Sequence, residues 1–177
     1  MRVEREEALE YVATGRWSRR RLKEKSPKAQ LDGFVAKFSP EVGAVAQRAL
    51  AKMRRRLPGS IELVYDNYNA LAIGFGPSER ASEAILSIAL YPRWVSLFFL
   101  QSGPTLPDPH RLLKGSGKMV RYVVLESAAD LDTPAVQALI AAAVERAREP
   151  IDAAGRNRIV IRSISAKQRP RRPVTAS

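Results

Sequence analysis

The chain contains no cysteine, and its only histidine is His110. Without cysteine there is no disulfide framework and no thiol chemistry. A structural zinc site is excluded as well, because such sites draw on several Cys and His ligands. His110 is predicted to be a solvated loop residue, and no Gly-x-Ser-x-Gly elbow marks a nucleophilic serine. We therefore predict no catalytic residue and no cofactor; an enzyme would have to use Tyr65, Asp66 or Lys118 as acid or base.

Long apolar runs are also missing. The most apolar stretch, residues 84–100, is interrupted by Pro92 and Arg93 and falls short of the roughly 18 unbroken residues that a spanning helix needs. Acidic residues at positions 4–7 are not typical of a signal peptide. The expected location is the cytoplasm, and no membrane partner is expected.

The net charge of +12 is concentrated at the two ends of the chain. Residues 1–30 hold nine Lys or Arg against five Asp or Glu, and residues 150–177 hold seven against one, whereas residues 31–149 are nearly balanced. A neutral fold with basic ends binds polyanions, if at all, through those ends. Nucleic-acid binding is therefore an alternative that depends on terminal cations. These are Arg19, Arg20, Arg21, Lys167, Arg169, Arg171 and Arg172.

The length of 177 residues suits one domain. We predict that it covers residues 26–164, between a basic, loosely attached extension over residues 1–25 and a basic, proline-rich tail over residues 165–177. The tail's composition does not allow a core of its own. It is interpreted as a mobile arm that touches phosphates, as a solubilising tail, or as a segment folded back over the sheet.

The pattern of apolar residues predicts an α+β sandwich. Ser26-Pro27 and Ser39-Pro40 are typical helix starts, and they predict helices over residues 27–37 and 40–56. A further helix is predicted from Thr133 to about residue 148. Strands are predicted over residues 61–66, 70–75, 84–91, 94–100, 119–126 and 158–163. Because most of the separators between the first five are short, we expect an antiparallel sheet of about five or six strands with two main helices packed on one face.

Several short motifs between residues 34 and 148 carry a family resemblance. They are Phe38-Ser39-Pro40-Glu41, Leu57-Pro58-Gly59, Val64-Tyr65-Asp66-Asn67-Tyr68-Asn69, Tyr91-Pro92-Arg93-Trp94, Leu106-Pro107-Asp108-Pro109 and Leu112-Leu113-Lys114-Gly115-Ser116-Gly117-Lys118. Together with residues 163–173 they resemble the YdhG-like proteins, a bacterial family of uncharacterised domains near the frataxin fold. The resemblance implies the helix–sheet–helix fold and little about activity.

One branch of that family resembles frataxin in function too, as an iron chaperone. The role depends on carboxylates crowded on an early helix, since hard cations need several oxygen ligands. In this sequence the corresponding helix carries Glu41 alone among five basic residues. Iron binding is therefore disfavoured and no metal ligand is predicted, although Glu62 and Asp66 form the best remaining carboxylate pair.

The turn over residues 65–69 is dense in hydrogen-bonding groups, and its two tyrosines together with Trp94 are typical of a ligand site. A purely structural turn, with the rings in the core, is the alternative. The segment over residues 114–118 lacks the spacing of a phosphate loop, but its backbone could hold an anion or form a simple glycine turn. A pocket is expected between the turn, Trp94 and the strand of Lys118 and Arg121. The candidate ligand-binding residues are Tyr65, Asn67, Tyr68, Asn69, Trp94, Ser116, Lys118 and Arg121.

The leading hypothesis is a non-catalytic binding domain for an anionic small molecule or a protein partner. The alternative is a nucleic-acid-associated protein that acts through its basic termini.

Overall fold

A computed structural model describes residues 25–173 of the chain. Nearly all of the predicted N-terminal extension lies outside these residues, and with it Arg19, Arg20 and Arg21. The four residues after Pro173 lie outside them as well.

The fold is α+β, as predicted, with one six-stranded sheet and three α-helices in the described part of the chain. The helices are α1 (Pro27–Val35), α2 (Pro40–Arg56) and α3 (Pro134–Glu145). The strands are β1 (Ile61–Asp66), β2 (Leu71–Gly76), β3 (Leu86–Leu90), β4 (Val95–Phe99), β5 (Arg121–Leu125) and β6 (Arg158–Ile164).

Each helix begins at a side-chain cap followed by proline. The hydroxyl oxygens of Ser26, Ser39 and Thr133 accept hydrogen bonds from backbone N–H groups three residues on. These bonds satisfy donors that the first helical turn leaves without a partner, and proline fits the next position because its missing N–H is not needed there. The predicted helix starts are therefore confirmed.

The sheet order is β5-β4-β3-β2-β1-β6. Strands β1 to β5 form the predicted antiparallel meander, but β6 pairs parallel with β1. The prediction of a wholly antiparallel sheet is thus wrong for its last strand. The cause is the long connection over residues 126–157, which contains α3 and supplies the crossover that a parallel neighbour needs.

One face of the sheet packs against the helices. Alternate strand residues such as Leu71, Ile73 and Phe75 are fully buried in one cluster with the apolar side chains of all three helices. Along β1 the same alternation turns the polar side chains of Glu62 and Asp66 toward the helices. Two carboxylates are thereby directed into the packed layer between helices and sheet.

Gly59 makes the turn between α2 and β1, with a φ of +80°. A side chain at this position would overlap the carbonyl oxygen of Asp152. The left-handed backbone conformation and the close approach of the Asp152 carbonyl both require glycine at this position. The turn therefore fixes where β1 begins and which of its residues face the helices.

We expect Gly59→Ala to lower the free energy of unfolding by more than about 2 kcal/mol. Alanine would have to adopt the left-handed backbone conformation, and its Cβ would overlap the carbonyl oxygen of Asp152. Gly33→Ala is the matched control. Gly33 is exposed in α1 with no atom within 4 Å of an added Cβ, so alanine there should stabilise the protein by about 0.5–1 kcal/mol. Urea denaturation of both variants checks this, and equal stabilities would contradict the role given to Gly59.

Candidate functional site

A buried ion cluster lies at the end of β1. The side chain of Asp66 is fully buried, and its carboxylate is held between two cations. Lys37 Nζ lies 2.7 Å from Oδ2, and the Arg171 guanidinium lies 2.8 Å from Oδ1. A carboxylate removed from water is stable as an anion only with such partners. Asp66 therefore ties the loop after α1 and the C-terminal segment to the central sheet.

Arg171 is itself only 6% exposed. Besides Asp66, its guanidinium donates to the backbone carbonyls of Asn67 and Tyr68. It also lies 5.4 Å from the ring centroid of Phe38. This one side chain thus holds the turn that follows β1 in place.

The pKa of Asp66 reflects two opposing effects. Burial raises the pKa of its carboxyl, but hydrogen bonds from Lys37, Gln168 and Arg171 lower it by more. The net pKa lies below the ordinary value of 3.8. The carboxylate is therefore charged at neutral pH, as the two cations require.

Residues 165–173, called the strap below, fold back over the domain. Their backbone joins the turn at two points, where the Ser165 N–H donates to the Asp66 carbonyl and the Arg169 N–H donates to the Tyr68 carbonyl, each at 2.9 Å. The Arg172 guanidinium donates to the carbonyl of Phe38 at 3.1 Å, beyond the end of α1. Of the three interpretations of the tail, the structure shows the folded-back one for these residues.

The strap forms one wall of an open cleft of about 950 Å³. The turn over residues 67–70 and the β3–β4 hairpin over residues 91–94 form the rest. Three arginines line the cleft, and none of the described residues around it is Asp or Glu. They are Arg93, Arg169 and Arg172. The lining is therefore positively charged.

Two large rings are exposed at the cleft. Tyr68 is 51% exposed and Trp94 is 45% exposed. Tyr91 stacks on Trp94, with 5.0 Å between ring centroids and 21° between ring planes. Apolar rings left in water are stabilised when a ligand covers them, so this surface is suited to stacking.

Four of the eight predicted ligand-binding residues line this cleft: Asn67, Tyr68, Asn69 and Trp94. Tyr65 does not, because it alternates with Val64 and Asp66 and so faces the other side of the sheet. The structure brings the turn and Trp94 together at one cleft.

Ser116, Lys118 and Arg121 lie at the other end of the sheet. Val95 pairs with Leu125, so Arg121, four residues earlier on β5, is about 13 Å farther along. Its guanidinium donates to the carbonyls of Gly117 and Val120 in its own loop. The expected pocket between Trp94 and this strand is wrong, because the antiparallel register separates its two halves.

The strap supplies cations that sequence reasoning assigned to nucleic-acid contact. Arg169 and Arg172 line the cleft, Lys167 is exposed outside its lining, and Arg171 is buried and paired. Arg171 in this arrangement does not reach a phosphate. Sequence reasoning missed Arg93 as a site residue, although its place beside Trp94 in a two-residue hairpin was a usable signal.

The two carboxylates considered for iron are both engaged. Glu62 is 1% exposed and makes a bidentate pair with Arg54, at 2.7 and 2.8 Å. Asp66 is held by its own two cations. Within residues 25–173 there is no group of three or more Asp, Glu or His side chains placed to hold a metal.

Comparisons with known proteins give no relative for this chain: no protein-family model, curated protein or solved structure matches it significantly. Among the helices of the described residues, none has the length and apolar character required to cross a bilayer.

We expect Asp66→Asn to lower the free energy of unfolding at pH 7 by about 3–5 kcal/mol, because it leaves the buried Arg171 without its counter-charge. Asp32→Asn is the control, since Asp32 pairs with Lys28 on the exposed face of α1 and should cost less than about 0.5 kcal/mol. Urea denaturation measures both, and a loss in Asp66→Asn no larger than in the control would contradict the cluster's role.

The wild type and Asp66→Asn should also differ in how their stability depends on pH. The pKa of Asp66 is lowered by folding from its ordinary value of 3.8, so its contribution to stability is complete above that value and is lost as pH falls through the folded pKa. Between about pH 5 and pH 2 the wild type should lose more stability than Asp66→Asn. If the free energy of unfolding falls equally with pH in the wild type and in Asp66→Asn, the carboxyl of Asp66 does not titrate as the geometry requires.

Proposed function

We propose that this protein is a non-catalytic binding domain that holds an anionic small molecule in the cleft beside the strap. The observation that carries the proposal is the joint presence of three arginines and two exposed rings around one concavity, with no carboxylate among its described lining residues. Small-molecule sites are typically concave, largely apolar and equipped with a few convergent polar groups.

The electrostatics support an anion. Asp66 is a carboxylate directly beneath the turn, and Lys37 and Arg171 already balance its charge. Among the described residues no carboxylate pairs with Arg93 or Arg169, so their charges are available to a ligand. Arginine suits this role because its planar guanidinium presents several donors to one phosphate or carboxylate.

A protein partner is the other form of the proposal, and it would have to present an acidic group to the same arginines. Membership of the YdhG-like family is proposed on the sequence motifs alone, with the cytoplasm as the expected setting. The frataxin-like iron role is disfavoured, because Glu62 and Asp66 are already ion-paired.

A thermal-shift screen against phosphorylated metabolites, nucleotides and carboxylates tests the proposal. At a ligand concentration of one hundred times Kd, binding stabilises the native state by about 2.7 kcal/mol, which raises the Tm of a domain of this size by roughly 5–10 °C. The shift should vanish in the double variant Arg93→Ala/Arg169→Ala.

The matched control is Arg55→Ala/Arg156→Ala, which removes the same charge from exposed arginines outside the cleft and should keep the shift. A library without a single anionic hit, or a shift that survives in the cleft variant, would refute the proposal.

Nucleic-acid binding is the second candidate, favoured by one specific observation: Arg169 and Arg172 of the basic tail line the same cleft as the two rings. Cations combined with stacking rings are typical of single-strand binding. A single-stranded oligonucleotide in the same screen distinguishes this candidate, since its affinity should fall steeply with added salt.

A further inference from the structure

We propose that the ligand of the cleft carries an aromatic ring as well as an anionic group, in the manner of a nucleotide. This inference depends on the proposed anion-binding function and names its ligand class. It rests on the pairing of stacking surfaces and cations within one short hairpin and the turn beside it.

The surface on which the ligand's ring would stack is part of the β3–β4 hairpin. Trp94 keeps 45% of its surface exposed although one neighbour, Tyr91, already stacks on it. The Tyr91 N–H donates to the Trp94 carbonyl at 2.9 Å and closes the turn, and the Tyr91 ring stacked on the indole restricts its orientation before any ligand arrives. A preorganised ring loses little conformational entropy when a second ring stacks on it. A flat ligand is therefore favoured over a flexible aliphatic one.

The cations that would bind the anionic group lie next to the Trp94 ring. Arg93 immediately precedes Trp94 in the same turn, so a guanidinium and an indole are presented together. Across the cleft, Arg169 donates to the side-chain oxygen of Asn69 at 3.3 Å, which orients the strap's cation beside the exposed Tyr68. One ligand that fills the cleft can meet both kinds of group.

The remaining lining suits the polar edge of a ring. Asn67 and Asn69 are both exposed on the turn, and each side-chain amide offers donors and an acceptor. The cleft volume of about 950 Å³ lies within the usual range of ligand sites, about 300–1,000 Å³. A base, a sugar and a phosphate together match this combination better than a phosphate alone.

Calorimetric titration of the full chain with three probes tests the inference. Adenosine 5′-monophosphate carries ring and phosphate, adenosine lacks the phosphate, and ribose 5-phosphate lacks the ring. We expect the nucleotide to bind at least ten-fold more tightly than either fragment. Trp94→Ala should reduce the nucleotide's affinity to that of ribose 5-phosphate, and Trp94→Phe, which keeps a ring, should retain most of the advantage.

The outcomes separate this inference from the proposed function. If ribose 5-phosphate binds as tightly as the nucleotide, or Trp94→Ala leaves the preference intact, the aromatic half is overturned while anion binding stands. If none of the three binds while the broader screen yields other anions, the nucleotide class is overturned. If the screen also yields nothing, both proposals fall.

A fourth titration identifies the source of the base and phosphate. A five-nucleotide DNA single strand that binds more tightly than the mononucleotide would support the same chemistry with a polymer as its source. A single strand that binds no better would support a free nucleotide.

Discussion

The buried carboxylate of Asp66 is the constraint on which the site depends. It lies at the end of β1, where it meets Lys37 from the loop after α1 and Arg171 from the strap. Its charge cannot remain in the interior without both partners, so the strap is required for the stability of the domain. Because the strap is also one wall of the cleft, the same ion pair that stabilises the fold gives the site its shape.

The basic composition of the chain divides into two roles. Some cations form ion pairs with buried carboxylates, as Arg54 does with Glu62 and Arg171 does with Asp66. Others stand at the cleft without a carboxylate partner in the described part of the chain. A count of charges does not distinguish these roles, but the contacts do: Arg54 and Arg171 are paired with buried carboxylates, whereas Arg93 and Arg169 have no carboxylate partner among the described residues and remain available to a ligand.

Local features were predictable from sequence because their causes are local. Ser39 caps the first turn of α2 and Pro40 fits its first position, and the short separators between β1 and β4 favour antiparallel hairpins. The parallel pairing of β6 was not predicted, and the fold-back of the strap was only one of three open interpretations, since each depends on contacts between distant parts of the chain, such as the pair of Asp66 with Arg171. The expected position of Arg121 beside Trp94 was wrong for the same reason. The register of β4 against β5, which depends on distant contacts, determines where Arg121 lies.

Hydrogen exchange at the strap amides of Ser165 and Arg169 measures whether the pair of Asp66 with Arg171 holds the strap in place. The Arg169 amide donates to the Tyr68 carbonyl of the turn and reports whether the strap is closed, and the Ser165 amide donates to the Asp66 carbonyl and reports whether the strap still leaves the sheet beside β1. In Arg171→Met, which removes the charge that pairs with Asp66, we expect at least ten-fold faster exchange at these two amides with the amides of β3 still protected. Strap amides as well protected as in the wild type, with the core intact, would show that the buried ion pair does not hold the cleft together.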